Sequence, residues 1–135
     1  MTTKERELRK EVPSSWPGSL PEYLVFLELL EQDKFPGLDF TYQAEKFGGR
    51  MEHGGLVIDF MFVNPPDLAI NVQGEYFHYE QGSQIKSRDL LARAALAGQG
   101  INLVFMDEAD VIDDVSFYVR EALVYRDHSR AARGM

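Results

Sequence analysis

Leu56-Val57-Ile58-Asp59-Phe60-Met61-Phe62-Val63, Asn64-Pro65-Pro66-Asp67, Leu68-Ala69-Ile70-Asn71-Val72-Gln73-Gly74: this stretch decides the fold. Two apolar runs rich in β-branched and aromatic residues flank a short break of Asn, Pro and Asp, which is the pattern of a β-hairpin. A turn confined to 64–67 pairs Asp59 with Val72 and puts Gln73 on the opposite face.

Working outward, Gly82 to Ser87 reads as a loop, and Arg88 to Ala97 carries Leu91, Ala94 and Ala95 on one stripe before Gly98 or Gly100 ends that helix. Ile101 to Met106 is then a buried strand. Asp113 to Arg126 carries Val115, Tyr118, Val119, Ala122 and Leu123 at helical spacing, opened by an acidic cap at Asp113 or Asp114. Upstream, Asp39 to Gln43 is a short strand, and the glycine-rich stretch from Lys46 to Gly55 is a turn or loop. Pro21 to Lys34, with Leu20, Tyr23, Leu24, Leu27 and Leu30, is a helix that Pro36-Gly37 stops. The order is α-β-β-β-α-β-α. A hairpin followed by a helical crossover into another strand implies an α/β fold, a mixed sheet flanked by helices. The chain divides into a polar arm at 1–18, a folded domain at 19–126 and a basic tail at 127–135.

A chain of 135 residues suits one domain and at most one active centre. It has no cysteine, which excludes a thiolate zinc site, a disulfide framework and a cysteine nucleophile. His53, His78 and His128 are scattered and offer no closed zinc set either. No run approaches the roughly 20 apolar residues of a membrane helix, and the first residues lack a signal-peptide core, so a cytoplasmic protein is expected. The net charge of -8 argues against a general nucleic-acid coat, because such affinity comes from Lys and Arg neutralising phosphates. Carboxylates that gather a divalent cation nevertheless present a positive centre. Basic residues also gather at the ends: Lys4, Arg6, Arg9 and Lys10, then Arg126, Arg130 and Arg133. Oligomeric state is not legible.

Asp59 stands in the middle of an apolar strand, where a carboxylate costs several kcal/mol unless something compensates it. Either the strand lies at an edge and Asp59 meets water, or Asp59 binds a metal; hard cations such as Mg²⁺ use only one or two protein carboxylates. Downstream, INVQGEYFHY places His78 just past a strand end, where sites in open α/β sheets lie. Asp89 opens the next helix, as dipole compensation or as a partner for His78. Glu22 closes Ser19-Leu20-Pro21-Glu22, a capping box by spacing and also a candidate site residue. Arg50, beside His53 in KFGGRMEHGG, either approaches a substrate backbone or belongs to a solvated loop. The glycine pairs at 48–49 and 54–55 are not followed by Gly-Lys-Ser/Thr and form no phosphate loop.

In order, Pro21-Glu22, Ile58-Asp59-Phe60, Ile70 to His78, Arg88-Asp89, Gly100 and Ile101 to Phe105 resemble the very-short-patch-repair mismatch endonucleases, over residues 19–108. A homing endonuclease subclass with a Glu, Asp, His, Asp set is equally similar. The resemblance implies a restriction-endonuclease-like core of the PD-(D/E)XK type acting on DNA. It implies that Asp59 and the main-chain carbonyl of Val72 bind Mg²⁺ (or Mn²⁺), and that Glu22 holds metal-bound water. By the same resemblance, His78 would act as general base or acid, and Asp89 would orient it. Gln73, Arg88 and Arg50 are the candidates for contacting substrate. The chain departs from the broad pattern where the second strand carries Asp or Glu, one residue, then Lys: here stand Asn71 and Gln73. Two readings follow. One is a histidine-assisted, single-metal endonuclease or nickase; the other is a catalytically inactive module of the same fold, serving DNA or protein binding. The acidic charge adds the expectation of a protein partner that targets it.

Overall fold

The computed structural model describes residues 2–46, 56–74 and 83–132. Eight elements follow in order: α1 (Thr3–Arg9), α2 (Leu20–Glu31), β1 (Phe40–Lys46), β2 (Leu56–Phe62), β3 (Leu68–Gln73), α3 (Ser83–Ala97), β4 (Asn102–Asp107) and α4 (Glu108–Ala122). The strands form one sheet in the order β1-β2-β3-β4, the first two pairs antiparallel and β3-β4 parallel, with α3 in the crossover. The expected α/β class and mixed sheet are present. The stretch expected as a plain arm carries α1, which Lys4 ties to α4 through a bond to the Asp113 carbonyl (3.1 Å).

α2 starts on the expected capping box, since Ser19 accepts from the Glu22 N–H while Glu22 accepts from the Ser19 N–H (3.1 Å). It ends at Glu31, ahead of Pro36-Gly37, because Asp33 turns the chain through a left-handed φ of 61°. α3 ends at Ala97, and Gly100, at φ 79°, lets the Ile101 N–H return to the Leu96 carbonyl (2.9 Å). α4 begins at Glu108, earlier than expected, but breaks at Asp114 (φ -154°, ψ 76°). There the Asp114 carboxylate accepts from the Phe117 N–H (3.2 Å), so the expected acidic cap restarts a helix in its middle.

α2 and α4 cover one face of the sheet. Val25, Leu29, Phe40, Phe60, Phe62, Leu68, Ile70, Val104, Met106, Val111 and Val119 are buried there. The α3 face is smaller, built on Ile58, Ala69, Leu96, Leu103 and Phe105, with Ala131 from beyond α4. The segment expected as a basic tail outside the folded domain therefore belongs to the fold as far as residue 132: Ser129 and Ala131 are buried. Asp127 fixes it, accepting from the Phe105 N–H (2.8 Å), the Ser129 N–H (2.8 Å) and the Arg93 guanidinium. It thereby covers part of the free edge of β4.

The register of the hairpin differs from expectation by one residue. Phe60 faces Ile70 and Met61 faces Ala69, so Val63 to Asp67 lie outside the pairing and the same register sets Asp59 against Asn71 rather than Val72. The longer loop contains the cis Asn64-Pro65 peptide. Asp39 braces the loop by accepting from the Val63 N–H (2.8 Å) and the Asn64 amide (3.0 Å).

Candidate functional site

Alternation in β2 breaks at Asp59. Phe62 and Phe60 point to the α2 face as period two requires, whereas Ile58 packs on the α3 face with Ala69 and Leu96. Across the β1 pairing, Tyr42 faces Phe60 and Ala44 faces Ile58, and the intervening Gln43 takes a positive φ of 58°. The strand is thus distorted where its one carboxylate sits, and Asp59 turns to the α2 face, where a regular strand would aim it at α3. Two side chains close the gap: the Val72 N–H donates to Asp59 Oδ2 (2.8 Å), and the Asp59 N–H donates to Asn71 Oδ1 (2.8 Å). Each backbone donor that the ladder drops is satisfied.

On that face Asp59 meets Glu22, in the first turn of α2. The Glu22 carboxylate takes the Ser19 hydroxyl (2.7 Å) and N–H (3.1 Å) on Oε2 and the Tyr42 hydroxyl (2.7 Å) on Oε1. The helix cap and the contact with Asp59 are thus combined in one side chain. Burial, then the neighbouring Glu22 charge and hydrogen bond, push the Asp59 carboxyl up to about 7, against the opposing effect of the Val72 N–H. Burial, followed by the hydrogen bond to Glu22 and the charges of Glu22 and Asp59, holds the Tyr42 phenol above its ordinary range, so its hydroxyl remains a donor.

The pair lies beside Val72, one residue before the end of β3, and at the start of α2; in open α/β sheets, ligands are commonly bound beyond the carboxyl ends of the strands. Its donors suit a hard divalent cation, because two carboxylates stand close together and, among the described residues, burial and the Glu22 charge outweigh what favours the ionised form of Asp59. Among the described residues no group of three or more metal-ligating side chains gathers, and a cation of this kind needs only one or two.

The other expected residues fall as follows. Val72 turns its N–H to Asp59, and in an extended strand its carbonyl faces the same neighbour. Gln73 is 2% exposed, opposite Asp107 of β4, and alternation from Ala69 puts it on the α3 face, parted from Asp59 by the sheet. That outcome matches the expected parting of Gln73 from Asp59, although the strand distortion causes it rather than the turn. Arg88 and Asp89 lie in the first half of α3. Their side chains are outside the described residues, as are His78, His53 and Arg50. Tyr42 was not singled out in the sequence, since a tyrosine in a short strand reads as core.

No helix among the described residues is long and apolar enough to cross a membrane. No protein-family model, curated protein or solved structure matches the chain.

Proposed function

We propose that the Glu22–Asp59 pair holds Mg²⁺ or Mn²⁺ and that the protein is a metal-dependent DNA endonuclease or nickase of the PD-(D/E)XK type, acting in the cytoplasm. The observation that carries this reading is the convergence of two carboxylates from α2 and β2 beside the end of β3, with Asp59 raised to about 7. A strand distorted so as to turn an acid toward another acid works against stability, and a cation is what such an arrangement accommodates. A metal bound there supplies charge neutralisation at the phosphoryl oxygens and a more acidic water.

Asp59 offers its carboxylate to the cation, and Glu22, fixed by Ser19 and Tyr42, orients water beside it. By the resemblance in sequence, His78 withdraws the proton from the attacking water and Asp89 sets its tautomer. Arg50 and Arg88 contact the phosphate backbone, and a protein partner brings the acidic chain to DNA. The Gln73 contact with substrate is left out of this scheme, since the buried amide lies on the other face.

A second reading has its own observation. Asn71, in the position where the broad family carries a catalytic carboxylate, is used as a structural bridge to the Asp59 N–H. That use favours a module that keeps the fold without the chemistry. Nicking of supercoiled DNA in Mg²⁺ or Mn²⁺ by the wild type, lost in Asp59→Asn, supports the enzyme. Equal cleavage by both assigns the activity to a contaminant, and Mn²⁺ binding without cleavage favours the inactive module.

A further inference from the structure

We propose that Tyr42 is a positioning residue for the carboxylate pair, and that the stretch from Trp16 to Ser19 completes the cation site by holding Tyr42 against Glu22. This rests on the cation reading given above. Ser19, the helix cap, engages only Oε2 of Glu22, so the cap alone does not fix the second oxygen. The Tyr42 hydroxyl fixes that oxygen at 2.7 Å.

Tyr42 itself has little freedom. Its ring stacks on Trp16 (4.8 Å between centroids, 24° between planes) and meets Phe60 on β2 at 5.1 Å. Trp16 is anchored in turn by its indole N–H, which donates to the Ser19 carbonyl (3.0 Å). Gly18 supplies the remaining constraint: a Cβ there would stand 1.9 Å from the Tyr42 hydroxyl oxygen. Only glycine leaves the hydroxyl the place from which it reaches Glu22. Because the obstructed atom is the far end of a side chain, an alanine at 18 can be accommodated by tilting the phenol, and the tilt breaks the Glu22 contact without requiring the sheet to open. A chain segment outside the sheet thus sets the geometry of an acid on α2 against an acid on β2.

The test compares the wild type with Tyr42→Phe, Gly18→Ala, Glu22→Gln and the Tyr42→Phe/Glu22→Gln double variant. Mn²⁺ affinity is read from the free-ion paramagnetic resonance signal, and folding from the thermal midpoint. Tyr42→Phe keeps the ring stack and is expected to weaken Mn²⁺ binding about tenfold, as loss of a group that orients a metal ligand does. Gly18→Ala is expected to weaken it similarly, with the cooperative transition retained. Tyr42→Phe is expected to add nothing in the Glu22→Gln background, because Tyr42 acts through Glu22; loss of packing alone would move stability without this dependence. Wild-type affinity in Tyr42→Phe, or losses that simply add in the double variant, overturns the positioning role while leaving the cation reading in place. A wild type that takes up no Mn²⁺ at millimolar concentration removes the cation reading, and this proposal with it.

Discussion

Replacing Asp59 with asparagine preserves the shape, the acceptor for the Val72 N–H and a donor toward Glu22, while removing the need to ionise. The folded carboxyl, raised to about 7 from 3.8, keeps a proton that the unfolded chain loses above its ordinary pKa. The contribution of Asp59 to stability therefore declines as pH rises from about 4 to about 7 and is level beyond. Asp59→Asn is expected to flatten this decline and, near pH 8, to be more stable than the wild type by on the order of 2 kcal/mol in urea unfolding. The same variant is expected to lose nicking. Denaturation profiles that run parallel from pH 4 to 8 would show that the carboxyl meets no such opposition in the fold. Asp59 and Glu22 stood out in the sequence, one as an acid in an apolar run and the other by its capping spacing. Tyr42 gave no such sign, because its partner Glu22 lies 20 positions away.

Each helix and strand has a counterpart in the hydrophobic periodicity except α1, whose residues bury nothing and so leave no apolar stripe. What periodicity could not supply is the place where it stops. The distortion at Asp59 leaves its flanking residues apolar, so the run Ile58-Asp59-Phe60 reads like any regular strand although its two apolar neighbours point to opposite faces. The end of β2–β3 pairing is equally invisible until Asn71 is seen reaching across it. Asn71→Leu is expected to leave the Asp59 N–H without its partner and lower stability by about 1–3 kcal/mol, with faster exchange of that amide. At the other edge of the sheet, Asp127→Ala strips the Arg93 guanidinium and the Phe105 N–H of their shared acceptor. The expected loss is about 3 kcal/mol or more, seen as a lower denaturant midpoint. A midpoint unchanged by Asp127→Ala would mean that the segment after α4 merely rests on the sheet.

For the molecule as a whole, the charge of -8 sets the terms on which DNA binding, as proposed above, would take place. Few phosphate contacts release few counterions, so the log of affinity should fall gently with the log of salt, by about one unit of slope per cation engaged. Removing residues 2–15 takes away Lys4, Arg6, Arg9 and Lys10 while sparing Trp16, and is expected to lower that slope. A steep slope unaffected by this deletion would place the gripping surface within the core. Trimming at 127 is not an equivalent experiment, because it also removes the acceptor that closes the β4 edge. The hairpin splice carries a further consequence. One atom, Asp59 Oδ2, is shared between the cohesion of the sheet and the proposed cation site, so whatever happens to the carboxylate is written onto the Val72 amide. The Val72 nitrogen–proton resonance is then a native indicator dye: its shift should trace the ionisation of Asp59 near neutral pH and be silent in Asp59→Asn, reporting on the site with no substrate in the tube.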